Sequence, residues 1–234
     1  MNWHEPTQRW VLFGADGRYV LGQFDGREFH IASGKQSLDW GPNCYAGQTF
    51  SDVPQGRWIH IAWMSSGQYP GMPFNQQMTL PCELTLKDGH LCKYPVREIA
   101  ALSGKTHTWR DLTVKPGANP IAGITGELFD IEAEIALGDA HEFGFELRGQ
   151  KIQYAMGAGE LFCAGRCAPL PPVDGRIKLR LLLDRSSLED FGNEGRSAST
   201  TQFLPKPDNQ NLSFYSSGGT TTLVSLQVRE LKPR

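Results

Sequence analysis

Apolar and polar positions alternate in short runs along most of the chain, and turn-forming pairs separate the runs. Residues 9–29 contain the apolar runs WVLF and YVLGQF, parted by Ala-Asp-Gly and followed by a second Asp-Gly at 25–26. Asp-Gly between alternating segments predicts hairpins, because glycine supplies the positive φ that a tight hairpin turn requires. CYAGQTF and RWIHIAWM form another pair bridged by SDVPQG, and MTLPCELTLKDGHLCKYPV folds back at Asp88-Gly89. Helical periodicity is absent here, and the even strand spacing predicts radial blades or a barrel. On the third hairpin Met78, Leu80, Leu84 and Leu86 are expected to form core between the two halves of the chain.

The pattern changes near residue 100. REIAALS (97–103) is the only segment that reads as a helix, and a Gly/Pro/Asn-rich stretch follows it. The expected organisation is a strand-rich unit over 1–100, a linker over 101–124 and a second strand-rich unit over 125–234. In the second unit ELFDIEAEIALG sets Leu128, Ile131, Ala133 and Ile135 against Asp130, Glu132 and Glu134. Strict alternation places these three acids on one solvent-facing side of a strand. FGFELRG, KIQYAMG, IKLRLLLD, SSLEDFGN, STTQFLP, LSFYSSGG and TTLVSLQVREL continue as short strands, the pattern of a two-sheet antiparallel sandwich. Glu189 and Asp190 are read as a solvated edge of that sandwich.

Composition narrows the function classes. A hydrophobic fraction of 39% with 26 Gly and 15 Pro in 234 residues suits short strands and turns. A net charge of −2 without a long Lys/Arg cluster gives no basis for nucleic-acid binding. The longest apolar run, LLL in IKLRLLLD, is far too short to span a bilayer, so no membrane partner is expected. The first residues show neither the basic nor the apolar segment of a secretory signal, which leaves localisation open. Five cysteines without a ligand-type spacing read as free thiols, and no metal or other cofactor is expected. The six histidines are scattered singly, and neither GxSxG nor HExxH occurs, so serine-type and zinc hydrolysis have no support.

Three stretches resemble the β-fructosidases of glycoside hydrolase family 32, which include levanases, inulinases and invertases. They are LDWGPNCYAGQTFSD (38–52), GRWIHIAWMSSGQYPGMPFNQQMTLPCELTLKDGHL (56–91) and LLLDRSSLEDFGNEGRSASTTQFLP (181–205). The resemblance implies an all-β protein: a partial five-bladed β-propeller, its last one to two blades, followed by a C-terminal antiparallel β-sandwich. It implies substrate-binding roles for Asp39, Trp63 and Tyr45, set against ordinary blade packing for Trp63 and Tyr45 and a turn cap at Gly41 for Asp39. The family's lysine three residues after that aspartate is Pro42 here. Glu83 is expected on a structural strand.

The family's Asn-Asp-Pro, Arg-Asp-Pro and Glu-Cys-Pro motifs, which carry the nucleophile, a sugar-gripping aspartate and the acid/base, do not occur in this chain. Retaining glycoside hydrolysis needs two carboxyl groups about 5–5.5 Å apart, one ionised and one protonated. Glu5, in His4-Glu5-Pro6, stands only five residues before Trp10 and reads as loop and not as the acid. No catalytic residue is therefore assigned. The chain is expected to be the C-terminal part of an enzyme acting on sucrose, levan or inulin, inactive alone. The alternatives are a non-catalytic fructan-binding or oligomerisation module, or a piece that complements an N-terminal catalytic fragment in trans. Open propeller edges would favour a homo-oligomer.

Overall fold

A computed structural model of the chain describes residues 2–3 and 9–232, and Glu5 lies outside them. The first sheet holds β1 (Asn2–Trp3), β2 (Arg9–Phe13), β3 (Arg18–Phe24) and β4 (Phe29–Ile31) in that order, with β5 (Gln36–Ser37) also on β3. The second is an antiparallel meander of β6 (Tyr45–Thr49), β7 (Trp58–Trp63), β8 (Cys82–Lys87) and β9 (His90–Pro95). The Asp-Gly hairpins form where the pattern puts them: Lys87 pairs with His90 across Asp88 (φ 50°) and Gly89 (φ 74°), the left-handed pair that a two-residue hairpin turn demands. Val11, Tyr19, Leu21 and Leu38 pack on Leu84, Leu86 and Leu91 and join the two sheets. The Tyr19 hydroxyl seals this contact, accepting from Leu91 N–H (2.8 Å) and donating to Gln36 (2.9 Å).

Leu84 and Leu86 thus fill the core between the two small sheets and not the one expected between the two halves of the chain. Met78 is exposed, and only Leu80 of that quartet reaches the far interface, where Ile59, Cys82, Val96 and Ile99 meet Leu182, Phe191 and Ala198. Arg97–Leu102 is a 3-10 helix burying Ile99, since six residues are too few for a self-sustaining α-helix.

The expected linker contains a twelve-residue strand, β10 (Ser103–Val114). Its alternation is hidden in the sequence because Asp111 takes φ 49°, which shifts the inward phase between Trp109 and Leu112. The remaining strands are β11 (Phe129–Ala136), β12 (Glu142–Leu147), β13 (Gln150–Ala155), β14 (Glu160–Cys163), β15 (Arg166–Pro169) and β16 (Arg176–Leu183). β17 (Ser187–Gly192), β18 (Ser197–Gln202), β19 (Leu212–Ser217) and β20 (Thr221–Leu231) complete the chain. They build a sheet ordered β10-β20-β11-β16-β17-β18 and a facing sheet ordered β15-β14-β13-β12-β19. Register aligns Ile131 with Leu181 and Val228, and Ala133 with Leu179 and Leu226, in one layer. That layer meets Phe143, Phe145, Ile152 and Phe214 of the facing sheet.

The outer face of the six-stranded sheet is not open solvent. Asp130 is buried, with the Arg180 guanidinium on it through two 2.9 Å hydrogen bonds and Arg229 at 3.3 Å. Arg180 in turn lies over the Tyr94 ring of β9. The acidic stripe is therefore a paired ladder: Glu132 takes Arg229, and Glu134 takes Arg176. An ionised acid at this interface persists because a fork of guanidinium donors satisfies it.

Candidate functional site

Tyr45 opens β6 and Trp63 closes β7, and the two face each other across the ladder. Their rings stand 6.0 Å apart at 75°, and 42% of Tyr45 and 36% of Trp63 is exposed. The Trp63 indole N–H donates to the Gln76 side-chain oxygen. An exposed edge-to-face aromatic pair offers flat apolar area with polar groups at its rim, which suits the C–H face of a sugar ring. The structure brings these two expected residues together.

The third, Asp39, is placed differently. Its side chain is 1% exposed, and its oxygens receive Lys93 Nζ (2.7 Å), the Thr200 hydroxyl (2.7 Å) and backbone N–H groups of Gly41 (2.8 Å) and Thr200 (3.0 Å). The cap on the turn at Gly41 is thus present, but as one part of a buried ionic cluster. Lys93, with a fully buried side chain, also donates to Thr200 Oγ1 (3.0 Å) and lies 3.8 Å from Glu189. Burial opposes ionisation of Asp39, yet the Lys93 ammonium and the converging donors outweigh it and hold its carboxyl below the usual range. Burial likewise opposes the charge on Lys93, and the Asp39 carboxylate overcomes it, raising that amine well above its ordinary value.

Glu189 and Asp190 are both buried, against the expectation of a solvated edge. They lie on opposite faces of β17, as alternation requires. Glu189 points toward the small sheets and accepts the Leu80 N–H at 2.6 Å. Burial pushes its carboxyl up to about 7 although Lys93 pulls the other way. Asp190 shares the sandwich-side face of β17 with Leu188, next to Ser199, and one of its oxygens has no hydrogen-bond partner. Burial, with the Asp39 charge, pushes it up to about 8. Beside the ammonium, burial holds His60 down to about 3, so that ring stays neutral. Glu83 pairs with Arg57 on the flank of β8.

Sequence reasoning missed Lys93, Thr200 and Asn43. One signal for Lys93 was available: in HLCKYP it is in phase with Leu91 and Pro95, both buried, and an inward lysine implies a buried acid. Asn43 and Thr200 carry no such signal, because their partners are remote in the chain. Among the described residues, no group of three or more His, Cys, Asp or Glu side chains is placed to hold a metal ion. The five cysteines are unpaired.

The exposed Tyr45–Trp63 pair presents a surface on which a flat ring could stack, and the buried acids present none. The interfacial acids Asp39 and Glu189 are sealed beneath the surface, and a sealed carboxyl cannot protonate a glycosidic oxygen or attack a sugar. The architecture is that of all-β glycoside hydrolases in which small antiparallel sheets lead into a β-sandwich. Within that class the chain belongs to glycosyl hydrolases family 32. Residues 11–95 match its N-terminal domain and residues 98–230 its C-terminal one. A levanase of Bacillus subtilis (strain 168) is 32% identical over 95% of this chain and 38% of its own length. A levanase of Bacillus sp. (strain L7) is 34% identical over 96% of this chain and 29% of its own. The crystal structure of exo-inulinase from Aspergillus awamori superposes with a TM-score of 0.84 at 25% identity, covering 97% of this chain and 54% of that one. The chain thus spans about half or less of the length of these relatives.

Proposed function

We propose that the chain is the C-terminal part of a β-fructosidase acting on levan, inulin or sucrose, and that it supplies one sugar-facing wall of the substrate site. The exposed Tyr45–Trp63 pair within a family 32 fold carries this reading. In it, the two small sheets are the last blades of a five-bladed propeller. Trp63 and Tyr45 contact the fructosyl ring, and Asp39 supports their loop from behind. The catalytic carboxylates come from blades outside this chain, since none of the three motifs that carry them occurs in it. The chain alone therefore binds fructans weakly and releases no fructose.

Two assays test this. Purified chain is incubated with sucrose, inulin and levan, and fructose release above a mock preparation refutes the inactive state. Calorimetric titration with fructo-oligosaccharides follows; millimolar-or-tighter binding supports the wall, and absence of heat with every fructan removes it.

A second reading, an assembly role, is favoured by the first sheet, where Leu12, Phe24 and Ile31 are exposed. Large apolar groups beside open strand edges attract a further strand or chain. There the chain docks an adjoining blade, in cis or from a separate N-terminal piece, and by itself forms a homo-oligomer. A monomer by light scattering at micromolar concentration counts against self-association.

A further inference from the structure

The loops that flank Tyr45 and Trp63 are held by the sandwich more than by each other. Strand β18 is the edge of the six-stranded sheet, and residues 39–43 run along it. Trp40 N–H donates to Ala198 (2.8 Å) and Asn43 N–H to Thr200 (3.2 Å). The approach is so close that a Cβ on Gly41 would fall 2.2 Å from the Thr200 carbonyl oxygen. Asn43, two residues before Tyr45, is buried and bridges three segments. Its side-chain oxygen accepts Gln202 N–H of β18 (2.8 Å), while its amide donates to the Ser65 carbonyl (2.7 Å), two residues after Trp63. Gln202 adds a second hold on the same turn, its side-chain amide donating to the Gln68 carbonyl (2.8 Å).

From this geometry we infer that Asn43, anchored on sandwich strand β18 and assisted by Gln202, is the positioning residue that fixes how the Tyr45 and Trp63 rings are turned toward each other, their backbones being paired already in the β6–β7 ladder. The sandwich is thereby a determinant of substrate affinity although both rings of the wall stand on β6 and β7. The inference rests on the sugar-wall reading for its effect on affinity, but not for its effect on the rings. A side chain that donates to one loop while accepting from a fixed strand adds to the ladder a hold on both flanking loops, and so restricts the orientations open to the two rings. Preorganisation of that kind raises affinity by lowering the ordering cost of binding.

The test uses the whole chain, with inulin-derived fructo-oligosaccharides as probe and two readouts: the Trp63 indole N–H resonance with its ring contacts to Tyr45, and the dissociation constant. Asn43→Ala is expected to shift the resonance, abolish the ring–ring contacts and weaken binding at least tenfold. Gln202→Ala is expected to do the same at least threefold, and because its side chain is half-exposed it keeps the test open if Asn43→Ala does not fold. Ile152→Val, in the sandwich core, lowers stability without touching the loops and is expected to leave both readouts unchanged. Wild-type resonance and ring contacts in Asn43→Ala or, where that variant does not fold, in Gln202→Ala would overturn the inference. So would an equal disturbance in Ile152→Val. If the wild-type chain binds no fructan, the sugar-wall reading fails, and the indole resonance still decides whether Asn43 positions the rings.

Discussion

Replacing Asp190 by asparagine should stabilise the protein at alkaline pH and leave it unchanged in acid. Asp190 is 1% exposed, one of its oxygens has no partner, and its carboxyl is pushed up to about 8 from 3.8. The folded state therefore keeps the proton to about pH 8, whereas the unfolded chain releases it near pH 4. Between these limits the folded state binds more protons, so stability falls as pH rises. At 1.36 kcal/mol per pH unit, the interval from 3.8 to about 8 is worth roughly 6 kcal/mol as an upper bound. Relaxation and water entry around an ionised buried acid reduce this to about 2–4 kcal/mol. Asparagine has the shape of the neutral acid, with one acceptor and a donor where the proton was, so it should cost little at low pH. Urea unfolding followed by far-UV circular dichroism at pH 4.5, 6, 7.5 and 8.5 measures the difference between variant and parent. The expected gain is near zero at pH 4.5 and grows through the series. A difference that stays flat from pH 4.5 to 8.5 would refute the reasoning. Glu189, pushed up to about 7 from 4.5, acts in the same direction, and Asp39, held low, contributes stability that is lost only as pH falls below about 4. The parent should thus be most stable in mild acid.

Three further outcomes follow from the interface and the wall. Lys93→Met leaves Asp39 ionised and buried without its cation, and should cost about 3–5 kcal/mol in urea unfolding; pairing it with Asp39→Asn should recover part of that loss. Gly41→Ala forces the loop off β18, because its Cβ would meet the Thr200 backbone at 2.2–2.3 Å, and should cost about 1–3 kcal/mol. Trp63→Ala should abolish the heat of fructo-oligosaccharide binding and cost about 1–3 kcal/mol of stability through the lost Tyr45 packing and covered ring area; unchanged affinity in the folded variant would remove Trp63 from the site.

Local pattern carried much of the architecture. Asp-Gly turns, two-residue alternation and the regular spacing of short runs marked the hairpins at Asp16-Gly17, Asp25-Gly26 and Asp88-Gly89 and the sandwich strands other than β10, β14 and β15, because turn chemistry and side-chain phase are properties of neighbours in the chain. The family was reached through the motifs around 38–52, 56–91 and 181–205, and that resemblance singled out Tyr45 and Trp63 separately; only the structure sets the two rings side by side. It failed where a residue's environment comes from afar. β10 read as a linker because Asp111 breaks its phase, and Asp130, Glu189 and Asp190 read as solvated because charge normally seeks water. Only the tertiary structure could decide that Asp130 meets Arg180, that Lys93 meets Asp39 from 54 residues away, and that Asp39 meets Thr200 from 161. The physical reason is desolvation. A buried charge persists only if partners converge on it, and those partners lie on strands that become neighbours when the small sheets dock on the sandwich edge.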